Sequence, residues 1–158
     1  MELYKGIKEV RIDSKGRVFF PACFRRILQL EGESRLLLRE DLFKECLVLS
    51  PVKNWEEEMN HLDSRLNRYN KEAQEILRDL LIEVKELELD SSGRILIPKD
   101  YLQFAKITNT VCFHGMLKTV EVWNPEILRK SKLSREEKRR RVQQLLGSNP
   151  LNDNIINY

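Results

Sequence analysis

Two aspartate–arginine pairs are the side chains of this 158-residue sequence best placed to do chemistry. Asp13 precedes Arg17 in Ile12-Asp-Ser-Lys-Gly-Arg-Val-Phe-Phe-Pro21, and Asp90 precedes Arg94 in Leu89-Asp-Ser-Ser-Gly-Arg-Ile-Leu-Ile-Pro98. The chemistry on offer is recognition rather than bond making. A planar guanidinium with five donors, held at a turn by a neighbouring carboxylate, is pre-organised for a phosphate or for the O6/N7 edge of guanine. A structural reading uses the same residues: aspartate accepts from backbone N–H groups two or three residues on, glycine supplies a positive φ, and each arginine simply pairs with its aspartate. Both readings make Asp13, Gly16, Asp90 and Gly93 the residues that fix the turns. Ser92 stands where the first copy has Lys15, so that slot tolerates a neutral residue.

Local charge favours the first copy as a nucleic-acid footprint. Lys8, Arg11, Lys15, Arg25 and Arg26 surround it against Glu9 and Asp13, whereas Lys85, Lys99 and Lys106 near Arg94 face Glu83, Glu86, Glu88 and Asp100. The candidates for DNA contact are therefore Arg17, Arg94 and Lys15, with Arg11 and Arg25 as additional contacts. The whole-chain balance of 28 basic and 25 acidic residues, net +3, permits such a partner without arguing for one.

Other function classes find little support. The two histidines, His61 and His114, belong to no nucleophile or metal motif and are expected at the surface. Carboxylates such as Glu75 and Asp79 sit beside Arg78 at helical spacing, as on a solvated face. There is no glycine-rich phosphate loop, so neither an enzyme nor a cofactor is expected. Cys23, Cys46 and Cys112 are far apart and lack metal-ligand spacing; they read as reduced, mostly buried small hydrophobes, and no metal is expected. Glu2, Lys5, Lys8 and Glu9 exclude a signal or transit peptide, and no apolar run approaches the roughly 20 residues of a membrane span. A cytoplasmic protein with no membrane partner is expected.

The turns must be positioned by what flanks them, and the flanks repeat too. Asp13 and Asp90 are 77 positions apart (90 − 13), and the same offset carries Gly16 to Gly93, Arg17 to Arg94, Pro21 to Pro98 and Phe24 to Tyr101. Cys46-Leu-Val-Leu-Ser-Pro51 is echoed by Thr119-Val-Glu-Val-Trp-Asn-Pro125. Each half reads as strand, tight turn, strand, short helix and a hairpin ending before a proline. The hairpins are expected at Arg35–Glu40 with Cys46–Ser50, and at Thr110–Met116 with Thr119–Trp123. Neither half buries enough apolar area alone, which points to one closed β-core built from both and related by a pseudo-twofold axis. The expected organisation is a first half over 1–53, a helical insert over 54–83, a second half over 84–124, C-terminal helices over 125–147 and a flexible tail over 148–158. In the insert, Trp55, Met59, Leu62 and Leu66 form one apolar stripe, and Ala73, Ile76, Leu77, Leu80 and Leu81 are expected to turn inward. Ser134-Arg-Glu-Glu137 is a capping-box pattern for a last helix, with Lys138–Arg141 on its wet face and Leu133, Val142, Leu145 and Leu146 on its dry face.

With both turns and their companions in view, the chain resembles the MraZ family of bacterial transcriptional regulators, associated with the division and cell-wall gene cluster. The resemblance rests on Asp13 to Arg25, Cys46 to Pro51 with Trp55, Asp90 to Pro98, and Val120 to Trp123. It implies an α+β fold of tandem AbrB-like, swapped-hairpin halves forming one barrel-like core, a double-split barrel. It also implies a homo-oligomeric ring, nucleoid-associated, that binds short repeated sites in double-stranded promoter DNA. Arg17 and Arg94 would contact DNA while Asp13 and Asp90 fix the turns, and Lys15 matches the basic residue of the first motif. Leu102 departs from the family pattern, which commonly has arginine there, and Ile82 and Val84 replace small residues. A protein-interaction module on the same barrel, antitoxin-like or an adaptor, is the alternative, with an acidic partner on the Arg17 face.

Overall fold

A computed structural model describes residues 2–147, so the tail expected at 148–158 lies outside the described residues. Up to Glu126 the chain forms one compact unit. In chain order its first half is β1 (Ile7–Arg11), β2 (Arg17–Phe19), α1 (Ala22–Leu30), β3 (Arg35–Glu40) and β4 (Leu47–Pro51). Two helices follow, α2 (Val52–Arg65) and α3 (Lys71–Ile82). The second half repeats the first as β5 (Lys85–Glu88), β6 (Arg94–Leu96), α4 (Lys99–Phe104), β7 (Thr110–Met116) and β8 (Thr119–Trp123). The duplicated sequence thus folds into duplicated elements. Pro21 and Pro98 each sit just before a helix with extended ψ, where the missing N–H costs no helical hydrogen bond.

Pairing between the halves, rather than within them, closes the sheet. Six strands run in the order β1-β7-β8-β4-β3-β5, and each neighbouring pair is antiparallel. β1 lies against β7 of the other half, with Arg11 opposite Thr110, and β5 lies against β3, with Glu88 opposite Arg35. β4 and β8 meet at the centre, Val48 opposite Glu121. Exchanging the halves leaves this order unchanged. A separate two-stranded ribbon, β2 with β6, has the same symmetry, because Val18 faces its own repeat equivalent Ile95. The pseudo-twofold axis expected from the repeat therefore passes through the ribbon.

The core lies between ribbon and sheet. Strand alternation sends Val18 and Ile95 inward, and Phe20 and Ile97 follow them into full burial. The Phe20 ring packs against Phe24 and Phe113, with centroids 5.9 and 5.7 Å away. Burying these large rings holds a ribbon of only three residues per strand, which two hydrogen-bonded strands alone would not stabilise.

Three expectations about burial need correction. Cys46 and Cys112 are buried, but Cys23 is exposed on the outer side of α1. The α2 stripe of Trp55, Met59, Leu62 and Leu66 is half-buried, and α3 has no buried residue: Ile76 and Leu81 are exposed rather than turned inward. Amphipathic spacing specifies an apolar face, and among the described residues nothing covers the outer part of this one. The third correction falls in the second unit, Ile127 onward, which contains most of α5 (Pro125–Ser131) and all of α6 (Arg135–Gly147). Ser134 Oγ accepts from the Glu137 N–H at 3.1 Å, as the capping pattern predicts. The expected dry face of α6 is exposed at Leu133, Val142, Leu145 and Leu146. Its basic run is partly internal: Glu137 accepts from Arg140 and Arg141, which hold its carboxyl at about 2. Among the described residues, no helix is long and apolar enough to cross a membrane.

The two turn glycines are constrained unequally. Gly16 and Gly93 have φ of +90° and +84°. A Cβ on Gly16 would collide with the Ile97 carbonyl, whereas one on Gly93 would meet only the flexible Arg25 side chain, at 2.7 Å from its Cδ. Gly93→Ala should cost about 1–2 kcal/mol, the strain of a left-handed alanine, and Gly16→Ala should cost more because backbone must move. Urea unfolding of the two variants checks the order, and a smaller loss at Gly16 would contradict it.

Candidate nucleic-acid interface

Each turn is closed by one carboxylate. Asp13 Oδ1 accepts from the backbone N–H groups of Lys15 and Arg17, both at 2.9 Å, and Oδ2 accepts from Arg17 Nε at 2.8 Å. Asp90 does the same with Ser92 and Arg94, at 2.9, 2.9 and 3.0 Å. The Asp13 and Asp90 N–H groups donate back to the carbonyls of Arg17 and Arg94, and Gly16 and Gly93 donate to Asp13 and Asp90. In each copy the hydrogen bond from the arginine's own backbone N–H is the largest influence on the carboxyl; burial opposes it, and the arginine side chain reinforces it. The result is a carboxyl held below its ordinary range in both turns.

The structural and recognition readings of the arginines therefore coexist. Asp13 and Asp90 are hydrogen-bonded through Nε, and among the described residues the Nη groups of Arg17 and Arg94 make no hydrogen bond within the protein. The Arg17 and Arg94 side chains remain 41% and 33% exposed. A guanidinium oriented through Nε and open at both Nη groups can make a two-pronged contact to an acceptor edge.

β2–β6 pairing brings the two arginines onto one face. Arg17 stands opposite Leu96 and Phe19 opposite Arg94, while Val18 and Ile95 point to the core. The outward face of the ribbon is thus Arg17, Phe19, Arg94 and Leu96. The Arg94 guanidinium also lies over the Phe19 ring, 5.9 Å from its centroid, whereas Arg17 stands opposite Leu96, which has no ring. Sequence reasoning missed Phe19 and Leu96, although their signal was available: they alternate with the core residues on both sides of the same turn-strand unit.

The remaining candidates divide. Lys15 and Arg11 are exposed, one in the first turn and the other at the end of β1, an edge strand. Arg25 donates through Nη1 to the Phe20 carbonyl, and its Cδ, Nε and Cζ lie over Gly93. Leu102, its repeat equivalent, sits in the corresponding place beside Gly16. Arg26 pairs with Glu2 at 3.2 Å and Lys106 with Glu45 at 2.8 Å, which thins the basic surround of both turns.

Away from the ribbon, Asp41, Cys46 and Glu121 are the described group whose ligand atoms come close enough to hold a metal, within 4.8 Å of one another. These groups also serve local structure: Asp41 Oδ2 takes the N–H groups of Phe43 and Lys44, and Glu121 takes Trp123 Nε1 at 2.9 Å and faces the Cys46 thiol. Burial pushes the Cys46 thiol well up, away from thiolate. His114, expected at the surface, is half-buried with Nδ1 3.3 Å from Glu121, whereas His61 is exposed.

Comparison with known proteins gives a consistent picture. Residues 80–145 match a family profile described as "MraZ protein, putative antitoxin-like". The chain is similar to the protein named transcriptional regulator MraZ of Phocaeicola vulgatus, 42% identical over 92% of this chain and 95% of that one. It is 46% identical to the protein of the same name from Bacteroides thetaiotaomicron, over 85% of this chain and 86% of that one. The corresponding Bacteroides fragilis protein is 44% identical over 85% and 84% of the two chains.

The turn chemistry fixes a pH response. Because Asp13 and Asp90 are held below their ordinary value, their contribution to stability is complete above about 3.9 and is lost as pH falls through the lowered folded values. Carboxyl NMR titration should show both midpoints below 3.9, with the Asp13 midpoint rising in Arg17→Ala. Midpoints at the ordinary value would contradict the closed-turn geometry.

Proposed function

The chain belongs to the MraZ family, and from that premise we propose that it is a sequence-specific DNA-binding transcriptional regulator whose β2–β6 ribbon enters the major groove. The observation that carries this reading is the placement of two aspartate-bound, partly exposed arginines on one face of a single ribbon. A two-stranded ribbon fits a groove about 12 Å wide, and guanine offers there the paired acceptors that a guanidinium matches. Arg17 and Arg94 are the base readers, Lys15 and Arg11 the phosphate contacts, and Asp13, Gly16, Asp90 and Gly93 hold the turns. Arg25 supports the second turn and is an additional DNA contact. This is a binding protein, not an enzyme.

The inter-half pairing supports assigning the core as two AbrB-like swapped-hairpin halves, 1–53 and 84–124, in one double-split barrel. Residues 54–83 are then an insert, and 125–147 a C-terminal helical segment. One ribbon supplies few phosphate contacts, so useful affinity at physiological salt requires several copies acting together. The protein accordingly works as a homo-oligomeric ring on short repeated promoter sites of the division and cell-wall gene cluster, in the cytoplasm at the nucleoid. Light scattering should find an oligomer at micromolar concentration; a monomer would contradict this part.

A mobility-shift assay on the DNA upstream of the chain's own coding sequence, at several salt concentrations, tests the reading. Arg17→Ala should lose about 1–3 kcal/mol per engaged site together with preference for the cognate duplex. Arg94→Ala should lose less, because the second turn has the poorer basic surround. Lys15→Ala should weaken cognate and random DNA alike and lower the salt slope by about one per lost contact. Selective binding retained by Arg17→Ala would overturn the reading in favour of an interaction module.

A further inference from the structure

The arginines do not account for the whole outward face of the ribbon. Phe19 and Leu96 are repeat equivalents, and they are 49% and 53% exposed. Phe19 stands opposite Arg94 in the ladder and Leu96 opposite Arg17. A scattered surface leucine is ordinary, but here half of a four-residue face that also presents two guanidinium groups is large and apolar. Neither side chain can escape inward. Val18 and Ile95 occupy the core side of the same strands, and a one-residue slip would expose both.

The chemistry of the ligand must therefore pair an apolar group with an acceptor edge at short range. Phosphates and the major-groove edge of guanine supply acceptors only, and the minor groove presents no methyl group. The major groove presents both: guanine O6/N7 and the C5-methyl of thymine. Directly opposed residues of an antiparallel pair lie about 4.5–5.5 Å apart, between one and two base steps of about 3.4 Å. Arg17 with Leu96, and Arg94 with Phe19, are thus spaced to touch a guanine and a nearby thymine.

We propose that Phe19 and Leu96 are specificity-determining residues that read thymine methyl groups in the major groove, each beside a guanine taken by the arginine opposite. The occupant is double-stranded DNA because the same face carries Arg17 and Arg94, and Lys15 flanks it, a charge complement to phosphate. This rests on the ribbon being the DNA reader. Phe19 does two jobs, since it also holds Arg94 in place; Leu96 has no ring with which to do the same for Arg17.

Replacing thymine by deoxyuridine removes the methyl group and leaves base pairing intact. The full chain would select a duplex from a randomised pool, and its affinity would be measured for that duplex in thymine and uracil forms. Wild-type affinity should fall about fourfold for each methyl group contacted, the worth of one buried methylene-sized group. The Phe19→Ala/Leu96→Ala double variant should bind both forms equally, with an unchanged salt slope, and Phe19→Leu should keep part of the difference. Equal wild-type affinity for the two forms overturns the thymine reading while leaving DNA binding in place, and so does a double variant that keeps the full difference. Failure to enrich any duplex overturns the DNA-binding reading itself, and this inference with it.

Discussion

The Phe20 N–H donates to the Gly93 carbonyl at 3.0 Å, and the Ile97 N–H donates to the Gly16 carbonyl at 2.9 Å. These two reciprocal hydrogen bonds extend the β2–β6 ladder at both ends and tie each turn to the strand leaving the other. Everything the arginines do depends on that tie. Without it the turns would be two separate loops, free to drift relative to one another. With it, the position of Arg17 relative to Arg94 is set by backbone register. The register is in turn set by the burial of Val18, Ile95, Phe20 and Ile97, because a slip of one residue would expose them. Carrying both halves in one chain makes this pairing intramolecular and so independent of protein concentration.

The symmetry is nearly complete in the backbone and broken in the side chains. Both turns make the same three hydrogen bonds to one carboxylate, with distances agreeing within 0.2 Å. Arg25 lies over Gly93, however, where Leu102 lies beside Gly16, and Phe19 restrains Arg94 where Leu96 faces Arg17. A duplicated scaffold thus presents two unequal arginine-bearing surfaces on one ribbon.

Much of this was legible in the sequence because the signals are local. Turn chemistry, the repeat offset, strand alternation and the capping serine each act over a few residues, and the elements they predict are present. Which strand pairs with which is not a local property. The repeat implied a shared core, but the exchange of β1 and β5 between halves follows from closing the sheet, not from any motif. Burial outside the core was the least legible. Ile76 and Leu81 lie on an apolar stripe that the described chain leaves exposed, since spacing defines a face but not its cover. Arg25 is expected from the sequence as an additional DNA contact, and its packing over Gly93 is a long-range contact that no local signal specifies. For the site, residue types single out the arginines and aspartates as candidates, whereas alternation marks Phe19 and Leu96 only as outward positions, and the ribbon pairing is what sets each opposite an arginine.

The central claim is that the β2–β6 ribbon inserts its outward face into the major groove. Methylation interference at guanine N7 measures this directly, because that atom is accessible only there and is the acceptor assigned to the arginines. The account predicts that methylating a small set of guanines in each bound element blocks complex formation with the wild-type chain, and that Arg17→Ala relieves the block at some of them. Complex formation indifferent to N7 methylation at every guanine would contradict it.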